Sequence, residues 1–98
     1  MKILALEKES PGAGQEQFRT LLAAEARRVW ELQQSGALRE IYFAAGTHTA
    51  VLMLECVDAD EARNLLGTLP LAQAGLIAFD ILPLLPYDGF ARLFGEAG

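Results

Sequence analysis

The chain has one cysteine, Cys56, and one histidine, His48, among its 98 residues. A single thiol cannot form an intrachain disulfide, and one Cys with one His cannot build a zinc cluster. Cys56 therefore reads as a small buried hydrophobe. Basic residues are also scarce: eight Lys and Arg stand against 13 Asp and Glu, for a formal net charge of −5. An acidic chain with its few cations spread along its length is a poor nucleic-acid or anionic-membrane binder. No stretch approaches the ~18 apolar residues of a membrane span. The opening "MKILALEKES" reaches charge too soon for a signal peptide. A cytoplasmic location is the expectation. What the chain has in excess is apolar surface, at 52% of residues. Its length suits one domain over 1–98 with a modest core. Some of that apolar surface is then expected to meet another subunit.

Along the chain, "MKILALEK" reads as a strand and "ESPGAG" as a loop. Residues 15–35 carry a helical period, with Phe18, Leu22, Val29 and Leu32 on one stripe. Gly36 is placed to end that helix in a left-handed cap. "ALREIYFAA" and "TAVLMLECV" read as strands joined by a "GTHT" hairpin connection. "DADEARNLLGTLP" reads as a second helix, capped by Asp58 with Glu61 three residues on. It buries Ala62, Leu65, Leu66 and Leu69, and Gly67 and Pro70 end it. "GLIAFDILPLLP" is a fourth strand, closed by Pro83 and Pro86. "YDGFARLF" suggests a short helix or arm within 86–98.

The order βαββαβ predicts an α+β, ferredoxin-like sandwich: a four-stranded antiparallel sheet with both helices on one face. Its other face should then be polar. Instead both alternating sets of "AVLMLEC" are largely apolar, and so are those of "LIAFDIL" apart from Asp80. The second face is expected to pack on the same face of another copy, as a dimeric α/β barrel.

Three segments resemble the muconolactone isomerase family: "ELQQSGALR" at 31–39, "AAG" at 44–46 and "LLGTLPLAQAGLIAFDILPL" at 65–84. The likeness runs from about Glu25 to Pro86. A "TLPL" entering a strand is its most specific feature. The ending "LLPYDGFARLF" is similar to small bacterial proteins grouped with that family whose activity is unassigned. The resemblance implies dimers that build larger rings and a pocket at the sheet face near a subunit boundary. It also implies no cofactor and no metal. The chemistry it implies is a proton shift on an unsaturated lactone from aromatic breakdown. Such a step needs one base of tuned pKa and donors for the developing enolate.

Glu25 is the candidate catalytic base. It completes the stripe 18, 22, 25, 29, 32, so its side chain should face the sheet or its edge, and the matching family segment also has Glu here. Desolvation would raise its pKa toward neutrality. The alternative is a helix-edge Glu in solvent or paired with Arg28. Arg39 matches the family's Arg after Gly36 and is a candidate for binding a substrate carboxylate, or else a salt bridge to Glu25 or another acid. Tyr42, where the family carries Trp, is a candidate pocket wall or enolate donor, or an interface aromatic. Asp80, between Phe79 and Ile81, ranks second to Glu25 among the acids. Strand parity leaves open which of Glu7, Glu55 and Asp80 face one cavity, and Glu7 and Glu55 read equally as strand-end acids in water. His48 reads as a solvated turn residue and Trp30 as a packing or subunit contact. Leu84-Leu85-Pro86 stands where the family carries Arg-His-Pro, which removes two polar groups.

Two functions follow. The first is an isomerase-like enzyme moving a proton on a small unsaturated lactone or keto acid. The second is a non-catalytic small-molecule-binding or oligomer-forming barrel protein. A cofactor-free monooxygenase of the same fold has no particular support. Expected partners are a second copy of the chain and a small organic acid or lactone.

Overall fold

The computed structural model describes residues 1–95, so residues 96–98 of the expected C-terminal arm lie outside the described residues. The elements are β1 (Lys2–Glu9), α1 (Gln15–Ser35), β2 (Leu38–Phe43), β3 (Ala50–Glu55), α2 (Ala59–Leu66), α3 (Pro70–Gln73) and β4 (Ile77–Leu84). A 3₁₀ segment follows over Gly89–Phe94. The strand order is β2-β3-β1-β4, with every neighbouring pair antiparallel. This is the ferredoxin-like arrangement.

Local chemistry sets the boundaries. Gly36 closes α1 in the left-handed region at φ 89°, its amide bonded to the Gln33 carbonyl at 3.1 Å. Asp58 caps α2 by accepting from the Glu61 amide at 2.9 Å. Glu61 reaches back to the Val57 amide at 2.8 Å, one residue beyond the usual capping box. Pro70 does not simply end α2. It opens α3 as its first residue, where its fixed φ suits a helix and its missing N–H goes unneeded.

The sheet's two faces differ. Ile3, Ala5, Leu52 and Leu54 point inward and are fully buried with Leu32, Leu38, Ala62, Leu66 and Leu69. Cys56 belongs to the same cluster. Leu4, Leu6, Tyr42, Val51, Met53 and Leu82 alternate onto the outer face, where Leu6, Tyr42 and Leu82 are exposed. Between Leu38 and Glu40 the β2–β3 register shifts by one residue, leaving a bulge at Arg39.

After β4 the chain runs away from the sheet. Leu85, Tyr87, Phe90, Leu93 and Phe94 are all exposed. The Cα radius of gyration is 16.4 Å, against about 13 Å for a compact domain of 100 residues.

A side chain at Gly36 would meet no atom within 4 Å, so a substitution there tests backbone strain alone. Gly36→Ala should lower stability by about 1 kcal/mol in urea denaturation. An unchanged midpoint would mean that the cap does not require the left-handed conformation.

Candidate active site

The inward stripe of α1 does not close on the sheet. Leu32 is buried, but Phe18, Glu25 and Val29 are only partly so and Leu22 is exposed. The gap beneath them is a cavity of about 590 Å³, a size typical of small-molecule sites. Its floor comes from Ile41, Ala50, Leu52, Ile77 and Phe79 on the inner sheet face. The gap exists because β1 changes character along its length. Ile3 and Ala5 fill the core, while Glu7 and Glu9, in phase with them, point acids into the space instead.

Glu25 is half-buried in the roof. Its Oε1 accepts the Leu71 backbone N–H at 2.9 Å, at the start of α3. That bond supplies a cap that Leu69, the N-cap residue, cannot offer. Burial raises the Glu25 pKa from its ordinary value. The Leu71 hydrogen bond lowers it in part, and the negative charge of Glu7 raises it further. Glu7 Oε1 accepts the Ala50 amide at 2.6 Å. The two carboxylates are therefore held by separate backbone amides on different elements, and the charge of Glu7 still acts on Glu25.

His48 stands at the cavity wall in a left-handed turn conformation, φ 57°. Its ring stacks on Phe43, with centroids 3.8 Å apart and planes within 18°. Its amide donates to the Ala44 carbonyl at 2.9 Å. Trp30 also lines the cavity while remaining 60% exposed.

The other expected site residues lie elsewhere. Arg39 sits in the β2 bulge and donates Nε–H to the Gly36 carbonyl at 2.6 Å. It thus serves the C-terminal end of α1, where a cation is favoured, and makes no ion pair with Glu25. Tyr42 is on the outer sheet face, donating to Glu40 at 2.8 Å. Asp80 is also on the outer face, where Lys8 Nζ lies 2.8 Å away. Flanking apolar residues in sequence do not enclose it, because they point to the opposite face. Neither Arg39, Tyr42 nor Asp80 lines the cavity. Glu55, at the other end of β3, pairs with the Met1 amino group at 2.8 Å. Arg28 bonds Glu31 and the Thr68 hydroxyl rather than Glu25. Glu7, Glu9 and His48 were not assigned to the cavity from the sequence. Glu7 carries a usable signal, its alternation with Ile3 and Ala5. His48 carries none, because the turn that places it has no periodicity.

Among the described residues, no cluster of three or more His, Cys, Asp or Glu is arranged to hold a metal ion. No described helix is long and apolar enough to cross a membrane.

Residues 6–88 match the profile of the muconolactone delta-isomerase family. The chain belongs to this family. The matched span contains Glu7, Glu25 and His48. Solved structures that share the fold include the following two. One is muconolactone isomerase, with a TM-score of 0.74 at 18% identity, covering 90% of this chain and 92% of that one. The other is 5-chloro-2-hydroxyhydroquinone dehydrochlorinase from Burkholderia phenoliruptrix AC1100, in complex with 2,5-dihydroxybenzoquinone. It has a TM-score of 0.66 at 21% identity, covering 91% of this chain and 98% of that one. No curated protein sequence matches the chain.

The raised pKa of Glu25 has a defined consequence for stability. The folded protein holds this proton more tightly than the unfolded chain, so ionising Glu25 costs folding free energy. The cost is absent below the ordinary value of 4.5 and grows as pH climbs through the raised one. Glu25→Gln removes the titration and keeps an oxygen for the Leu71 amide. Its stability relative to wild type should therefore rise between about pH 4 and pH 7.5, read from urea midpoints. A pH-independent difference would show that Glu25 ionises as freely folded as unfolded.

Proposed function

We propose that this member of the muconolactone delta-isomerase family moves a proton on a small unsaturated lactone or related ring carbonyl compound, with Glu25 as the base. One observation carries this reading: a half-buried carboxylate of raised pKa facing an apolar, ring-sized cavity. A raised pKa makes a carboxylate a stronger base than an ordinary one and a better carrier of the proton it takes. The Glu25 carboxylate would take a proton from the saturated carbon that adjoins the far end of the conjugated C=C–C=O system. The C–H electron pair passes into the conjugated system as an enolate. Protonated Glu25 then returns the proton at the carbon next to the carbonyl, so the double bond moves with no net oxidation. His48 is the polar group at the cavity wall available to donate to the enolate oxygen.

The same reading includes self-association. The outer sheet face presents Leu4, Leu6, Val51, Met53 and Leu82, with Tyr42 beside them. Lone monomers rarely expose so continuous an apolar face. A second copy packed face to face would cover it and leave each cavity, on the opposite side of its sheet, open to substrate.

Two measurements test these points. An ultraviolet isomerisation assay with muconolactone and its methyl ester should show turnover in at least one. Glu25→Gln should lower that turnover by about 100-fold or more. No turnover with either substrate would leave the non-catalytic binding reading in its place. Sedimentation at micromolar concentration should show at least a dimer, and Leu6→Glu should release folded monomers. A monomeric wild type would end the face-to-face proposal.

A further inference from the structure

The charges facing the cavity all have one sign. Glu7, Glu9 and Glu25 contribute carboxylates, and no described Lys or Arg lines the space. Four cations of the surrounding elements are engaged elsewhere. Lys8 pairs with Asp80 on the outer face. Arg28 holds Thr68 and Glu31, and Arg39 holds the Gly36 carbonyl. Arg19 borders an adjoining groove, where it pairs with Glu16 at 3.1 Å. The remaining walls are apolar and aromatic, with Phe18, Trp30, Phe43 and Phe79 among them.

We infer that the cavity takes an uncharged, hydroxyl-bearing or carbonyl-bearing ring compound and rejects carboxylate anions of the same size. The inference rests on the reading of this cavity as a substrate site and names the substrate class. An anion placed here would leave water to lie beside three carboxylates with no arginine or lysine to receive it. His48, stacked on Phe43, is the one other polar ring at the wall and offers a donor edge suited equally to a neutral carbonyl or hydroxyl oxygen. A hydroxylated ring meets the opposite situation. Glu7 and Glu25 each accept one backbone amide and retain lone pairs for further donors. The aromatic walls supply stacking surface. An organic cation would gain Coulomb energy but lose more hydration in a space walled mainly by apolar side chains. Within the proposed chemistry, the favoured substrate is a lactone or ring ketone without a free carboxylate.

Three near-isosteric probes separate the cases by titration calorimetry on the wild-type protein at about pH 7.5. They are 4-hydroxybenzamide, 4-hydroxybenzoate and 4-hydroxybenzamidine. The neutral amide should bind most tightly, with the benzoate weaker by about tenfold or more. Glu7→Gln should bring the benzoate several-fold closer to the amide. Benzoate binding as tight as the amide would overturn the inference and point to a cation supplied by a second copy of the chain. An amidine that binds best would overturn it in favour of a cation site, and binding by none would overturn it outright. These outcomes are independent of turnover. Selective amide binding without isomerisation would keep the ligand class and lose the enzyme. Glu25-dependent turnover of the lactone acid with preferred benzoate binding would do the reverse.

Discussion

The hydrogen bond from the Leu71 amide to Glu25 is the contact on which the cavity depends. It ties the middle of α1 to the start of α3, where no side chain of the α3 N-cap residue can serve. Above it α1 stands off the sheet, and toward its C-terminal end Leu32 packs fully into the core. Glu25 is therefore both a clamp and a candidate base, and its surroundings pull in two directions. Burial raises its pKa, while the amide it accepts stabilises the anion. A carboxylate held this way is neither free in water nor locked into an ion pair. Removing its oxygens altogether, as in Glu25→Leu, would leave the Leu71 amide unpaired. Gln is therefore the cleaner replacement.

The order and type of the strands and the two main helices were legible in the sequence because each rests on a local rule. Gly36, Asp58 and Glu61 mark helix ends by their own geometry. The inward stripe of α1 follows from helical spacing. Pro70 shows the limit of such rules. A proline after a helical run ends one helix, but here it also begins another, which buries Leu71 and is tied to α1 by the Glu25–Leu71 contact. The bulge at Arg39 shows a second limit. Strict alternation from Leu38 would carry Tyr42 to the inner face. One extra residue in β2 sends it to the outer face while Ile41 keeps the core position opposite Leu52.

The site was legible where a period held and obscure where it did not. Glu25 could be placed on the inner side of α1 from spacing alone. Glu7 could have been, since Ile3, Ala5 and Glu7 alternate without interruption and Ile3 and Ala5 are the most deeply buried residues of β1. Asp80 misled because apolar neighbours in a strand belong to the other face. Phe79 turns toward the cavity, and Asp80 turns away to Lys8. His48 depends on a left-handed turn residue and on stacking across the β2–β3 connection, neither of which leaves a pattern in the sequence.

The same division of faces bears on the Leu84-Leu85 segment, where the chain departs from the family resemblance. Leu84 pairs with Lys2 at the far end of β1 from Glu7, on the outer side of the sheet, and Leu85 is 82% exposed beyond it. Neither lines the cavity. Two leucines in place of polar residues thus leave this chain's own site unaltered and extend the apolar surface available to a neighbour. Under the proposed face-to-face packing, the change bears on how copies meet. The charged residues of the lining, all acidic, bear on what the cavity accepts. The two features lie on opposite sides of one four-stranded sheet, so substrate choice and association can vary independently.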